Sequence, residues 1–145
     1  MKVLIQRVKN ASVTIDSEIY SRIGQGILAL IGIEKGDTVD KAEKLAKKIV
    51  NLRIFEDENG KMNISLADIK GEMLIVSQFT LCSDCKKGTR PSFDKSAPPE
   101  EANILYKSFI SFVKEQNINT KCGVFGADMQ IQLVNDGPVT FMLNE

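Results

Sequence analysis

The chain has 145 residues, 43% of them hydrophobic and 26% charged, with nineteen basic residues balancing nineteen acidic ones. That length predicts a single domain, 1–145, whose core needs no disulfide or metal staple, and the neutral balance excludes a global field for polyanions. There is no histidine, which removes Ser-His and Cys-His pairs, histidine bases and histidine metal ligands, so an enzyme of this sequence must use backbone groups, hydroxyls, carboxylates or its substrate's own groups.

No apolar run approaches the ~20 residues that span a bilayer, and residues 1–7 lack the apolar stretch of a signal peptide. Three cysteines, an odd number, argue against a closed disulfide framework. The expectation is a cytoplasmic protein without a membrane partner.

Along the chain, Val3, Ile5 and Val8 sit in a β-prone segment, and Val13 and Ile15 alternate with Ser12 and Thr14. The Lys9-Asn10 break predicts a hairpin between them. Residues 27–33 are a continuous apolar run, which reads as a strand covered on both faces. Asp37 or Thr38 can cap a helix whose stripe is Val39, Ala42, Leu45, Ala46 and Ile49. Lys41, Lys44, Lys47 and Lys48 then form either a solvated face or a site for RNA phosphates.

A short strand at 53–56 meets an Asn59-Gly60 hairpin signal. A second buried strand, 72–79, ends in polar residues. Residues 82–99 form a long loop, of a length that is often functional, made basic by Lys86, Lys87, Arg90 and Lys95. Prolines and an acidic first turn then start a helix with Ala102, Leu105, Phe109, Phe112 and Val113 as its buried stripe. Three short strands follow, at 121–124, 129–134 and 139–143. The fold class is therefore α+β: one domain of mixed, mostly antiparallel sheet with a barrel-like core and two main helices.

Several stretches could carry chemistry. Cys82-x-x-Cys85 lacks the further ligands a zinc site needs and the frame a redox pair needs, so the two read as ordinary loop thiols and no metal or cofactor is expected. Ser77-Gln78-Phe79-Thr80-Leu81 leaves a very apolar strand with donors and acceptors beside a hydrophobic wall. It either caps the strand or faces a ligand. Asn135-Asp136-Gly137-Pro138-Val139-Thr140 reads locally as a turn between two strands.

Taken together, these last two stretches resemble the D-aminoacyl-tRNA deacylase family. So do Gln6-Arg7-Val8 with Ala11-Ser12-Val13-Thr14, Gly88-Thr89-Arg90-Pro91-Ser92-Phe93, and the stretch from Gly123 to Met129. The resemblance covers essentially the whole chain. It departs at Cys82 and Cys85, where the family more often carries an aromatic residue and a threonine.

The resemblance implies a homodimer with its active site at the subunit interface and the 3′ end of an aminoacyl-tRNA as partner, with no DNA. It implies hydrolysis of the ester of D-aminoacyl-tRNA, and of glycyl-tRNA mischarged on tRNA-Ala. It also implies a cis Gly137-Pro138 peptide that reaches the other subunit's pocket and, with Ser77, rejects L-aminoacyl groups. Gln78, Phe79 and Thr80 would be catalytic, Thr80 as nucleophile or in a hydrogen-bonding role, with the tRNA 2′-OH assisting. Ala102, Phe125 and Met129 would line the adenosine pocket, or else belong to ordinary core. The rival is a non-catalytic dimeric module that binds RNA or another ligand through the 86–95 loop.

Overall fold

The computed structural model describes residues 1–86 and 88–145. Its elements in order are β1 (Lys2–Ile15), β2 (Glu18–Ile23), β3 (Gly26–Gly32), α1 (Val39–Asn51), β4 (Phe55–Glu56), β5 (Met62–Ile64), β6 (Glu72–Ser77), a 3-10 turn (Phe79–Cys82), α2 (Pro99–Glu115), β7 (Asn119–Cys122) and β8 (Gln130–Asn144).

β1 organises the sheet. β8 runs antiparallel along it from Lys2 opposite Asn144 to Thr14 opposite Gln130. β3 and then β2 also pair with it antiparallel, at its first and second halves. β6 adds to β3 and β7 to β6, both parallel. The mixed, mostly antiparallel sheet and the two helices match the fold class read from the sequence.

The strands are apolar on both faces because there are two cores. Val3, Ile5, Ile27, Ala29, Ile31, Met73 and Ile75 face the helices, where α1 contributes Leu45 and Ile49 and α2 contributes Phe109 and Val113. The intervening residues, Val8, Val13, Leu28, Leu74 and Val76, pack inside the curled sheet with Ile131 and Leu133 of β8. Each fully buried Leu or Ile here is worth about 1.5–3 kcal/mol relative to exposure. α1 begins at Thr38, whose hydroxyl accepts the Lys41 N–H. Val39, read as part of the α1 stripe, is exposed instead, and Phe112 is only half-buried.

Three local expectations are corrected. Lys9 and Asn10 do not turn: β1 runs straight through them, and both are exposed where the partner on one edge changes from β3 to β2. The hairpin lies instead at Asp16 and Ser17, whose φ angles of 51° and 66° suit a tight turn. The β2 strand it leads into carries no strand signal in the sequence, because Glu18, Ile19, Tyr20 and Arg22 are all exposed and show no alternation. Residues 135–138 do not join two mutually paired strands either, since both flanks pair with β1.

Candidate active site

β3 and β6 run parallel, with Ile31 opposite Ser77, and their C-terminal ends open onto a cavity of about 700 Å³. That is room for a nucleoside-sized ligand. β6 stays buried from Met73 to Val76 and then emerges, leaving Ser77 and Gln78 half-buried and Phe79 exposed.

The Gln78 N–H donates to the Ile31 carbonyl at 2.7 Å, and there the strand stops. The 3-10 turn follows, so Phe79 leaves the strand it was read into. Gly32 makes room for this turn. A Cβ at that position would stand 2.9 Å from Leu81 Cβ and 3.1 Å from the Gln78 carbonyl oxygen. Cys82 closes the turn as a core residue and not as a loop thiol. Its burial, and then the nearby Glu34, push its pKa up. Cys85 is exposed, and no cysteine is paired.

The opposite wall comes from the segment after β7 and from α2. Tyr106 on α2 is buried, and its hydroxyl donates to the Ile75 carbonyl at 2.8 Å. The same carbonyl accepts the Gly123 N–H at 2.9 Å. Tyr106 therefore ties the exits of β6 and β7 together, and its ring packs on Phe125 with centroids 5.8 Å apart. Desolvation holds the Tyr106 hydroxyl well above the ordinary phenol pKa, so it remains a donor. Gly123 lets Met129 fold back across the wall, since a Cβ there would lie 2.6 Å from the Met129 sulfur.

At the mouth, Phe93 from the 83–98 loop packs tilted against Phe79 with centroids 5.0 Å apart. The loop is pinned by the pairing of Asp84 with Ser92 and by the Ala97 N–H, which donates to the Ile33 carbonyl at 3.0 Å.

The fold thus brings Ser77, Gln78, Phe79, Ala102, Phe125 and Met129 around one space. Thr80 is exposed and does not line the cavity; its hydroxyl oxygen accepts the Gln78 side-chain amide. Gly137 and Pro138 do not line it either. Among the described residues no group of three or more His, Cys, Asp or Glu gathers to hold a metal, and no helix is long and apolar enough to cross a membrane.

Gly137 and Pro138 sit on a bulge of β8. Two steps along β1, from Val8 to Gln6, answer five along β8, from Asn135 to Thr140, so the intervening residues swing out of the ladder. The Gly137–Pro138 peptide is cis and both residues are exposed. Polar contacts shape the base of the bulge. The Val139 N–H donates to the Asn135 side-chain oxygen at 3.0 Å, and the Asn135 and Gln6 amides both donate to the Thr140 hydroxyl.

Beneath the bulge lies Arg7, only 4% exposed. It donates to the Asp136 carbonyl at 3.0 Å and the Ile54 carbonyl at 2.7 Å, and pairs with Glu56 at 3.4 Å. Sequence reasoning gave Arg7 no role of its own. The available signal was a cation in alternation with Val3 and Ile5, on the face of β1 that is otherwise apolar there.

The basic segments are partly neutralised. On α1, Lys41, Lys44 and Lys47 pair with Asp37, Glu145 and Glu43, and in the loop Lys95 pairs with Asp84. Lys87 lies outside the described residues.

A family profile described as D-Tyr-tRNA(Tyr) deacylase matches residues 4–144. Curated D-aminoacyl-tRNA deacylases are similar end to end. The protein from Geobacter sp. strain M21 is 56% identical over 99% of this chain and 96% of its own. The one from Thermosipho africanus is 54% identical over 99% of this chain and 97% of its own. The chain belongs to the D-aminoacyl-tRNA deacylase family.

Two solved structures share this deacylase's fold. One, titled c-Myc DNA Unwinding Element Binding Protein, superposes with a TM-score of 0.94 at 44% identity, covering 100% of this chain and 99% of that one. The other, titled as a probable eukaryotic D-amino acid tRNA deacylase, has a TM-score of 0.85 at 18% identity, covering 98% and 97%, and bears on the fold alone. The deacylase is a hydrolase that frees D-amino acids from tRNA, and the rival reading of a non-catalytic module is set aside.

Proposed function

We propose that this deacylase works in the cytoplasm as a homodimer that checks the handedness of the aminoacyl group with main-chain atoms of both subunits. The observation that carries this reading is the shared cavity: the strand exit at Ser77, Gln78 and Phe79 faces Ala102, Phe125 and Met129 across about 700 Å³. Ala102, Phe125 and Met129 hold the terminal adenosine, and the ester lies against Ser77 and Gln78.

The Phe79 and Thr80 N–H groups begin the 3-10 turn and have no backbone acceptor outside it among the described residues. They take the oxyanion that develops as the ester is attacked. One such donor is typically worth about 3–4 kcal/mol. Thr80 orients Gln78 through its hydroxyl and does not act as the nucleophile, because this histidine-free chain places no base to activate it. The neighbouring ribose 2′-OH of the substrate supports attack by water.

Gly137 and Pro138 are exposed and lie outside their own chain's cavity, which fits their insertion into the cavity of the second subunit. There their carbonyl oxygens face the substrate α-carbon. An L side chain would point at them and clash; a D side chain points away. Glycine has nothing to reject, so glycyl-tRNA mischarged on tRNA-Ala is also cleaved. Rejection, more than attraction, sets the specificity.

The test is release of amino acid from D-tyrosyl-, L-tyrosyl- and glycyl-tRNA. Cleavage of the first and third only is expected, with a large loss when the terminal 2′-OH is replaced by hydrogen. Equal cleavage of the L-substrate would overturn the gate, and full activity on the 2′-deoxy substrate would overturn the assisted chemistry.

A further inference from the structure

Among the described residues, the cavity is lined by two charged side chains, Lys35 and Asp128. Lys35 stands at the mouth and its position is fixed by backbone. Its N–H donates to the Lys95 carbonyl at 2.9 Å, and the neighbouring Glu34 forms a bridge with Ser96, which also lines the cavity. Lys35 and Ser96 are therefore adjacent on the rim.

The anions near Lys35 are otherwise engaged. Glu34 pairs with Lys2 at 3.2 Å and lies 3.9 Å from the Met1 amine. Asp37 holds the same amine at 2.5 Å and Lys41 at 3.2 Å. Asp94 accepts the Ser92 hydroxyl at 2.8 Å. Lys35 itself forms no ion pair among the described residues. It is a cation without an ion pair among the described residues, at the rim of a mostly apolar space, with the negative charge of Asp128 keeping an anion away from the other wall.

We propose that Lys35, with the Ser96 hydroxyl, is the subsite for the phosphodiester that joins the terminal nucleotide of the tRNA to the rest of the strand. This rests on the terminal adenosine occupying the cavity. A nucleoside buried there must send its one 5′-phosphate out through the mouth, where a lysine acts as a point charge and the Ser96 hydroxyl, which donates to the Phe79 carbonyl only at 3.5 Å, turns to the phosphate as a further donor.

The experiment uses two non-hydrolysable probes, 3′-D-tyrosylamino-3′-deoxyadenosine with and without a 5′-methyl phosphate diester, titrated calorimetrically into the full-length protein. In the unaltered protein the diester tightens binding by about tenfold, the size of one charge-assisted contact. Lys35→Ala abolishes that gain and Lys35→Arg keeps most of it. With tRNA itself, Lys35→Ala lowers the slope of log K against log salt by about 0.7, the value for one contact to a single strand.

If the diester brings no gain, or the gain survives in Lys35→Ala, the subsite is wrong while the cavity assignment stands. If neither probe binds, the placement of the adenosine fails and the subsite falls with it. A variant whose near-ultraviolet circular dichroism departs from the unaltered protein is replaced by Lys35→Gln, read in the same way.

Discussion

The cavity and the β8 bulge are built on opposite plans. The cavity is concave and largely apolar, and its walls are set by glycines that leave room: Gly32 for the 3-10 turn and Gly123 for Met129. The bulge projects from the sheet, is exposed, and is held by polar side chains, with buried Arg7 below it and Asn135, Thr140 and Gln6 around it. One region is shaped by what is missing from its side chains, the other by hydrogen bonds supplied from neighbouring elements. The difference teaches where each should fail when disturbed.

Removing the support of the bulge should have the largest effect. Arg7→Ala takes a donor from the Asp136 and Ile54 carbonyls together. A loss of about 3 kcal/mol in urea unfolding is expected, with D-tyrosyl-tRNA cleavage falling further than stability explains. A variant as stable as the original would show that the bulge stands on its own backbone. Gly137→Ala comes next. Gly137 has φ of +134°, and a Cβ there would lie 2.7 Å from a Val139 methyl. Strain of about 1–3 kcal/mol should displace the bulge, cutting D-tyrosyl-tRNA cleavage tenfold or more while the melting temperature falls by only several degrees.

The cavity should yield more gradually. Gly123→Ala pushes Met129 off its seat, and overpacking of about 1–2 kcal/mol should appear mainly as a raised KM. A changed kcat with constant KM would place Met129 away from the nucleoside. Tyr106→Phe should be mildest, about 1 kcal/mol in urea, because the Ile75 carbonyl keeps the Gly123 N–H.

The same contrast governs what the sequence discloses. The two-faced apolar runs of β3 and β6 announce buried strands, and the Thr38 cap announces α1. Ser77 and Gln78 stand out because polar residues abruptly follow such a run, whereas apolar Phe79 reads as more of the strand it in fact leaves. The bulge is harder. Asn-Asp-Gly-Pro carries the chemistry of a turn, and only the long-range pairing of β8 with β1 decides that it loops out of a ladder. The role of Arg7 is hard to read for the same reason: its partners, Ile54, Glu56 and Asp136, come from two distant parts of the chain. β2 escapes because its outward residues lack the alternation that marks a half-buried strand.

The pairing of β1 with β8 also has a consequence for synthesis. β1 is made long before β8 and waits for it, since Lys2 lies opposite Asn144. Until then the apolar residues of β1 lack one flank of their sheet. The nascent chain therefore carries a sticky, half-finished edge until β8 is made, and closing it depends on contacts that are far apart in sequence and slow to form. Chaperone dependence during production should be greatest for variants that weaken β8, even where the finished protein tolerates them.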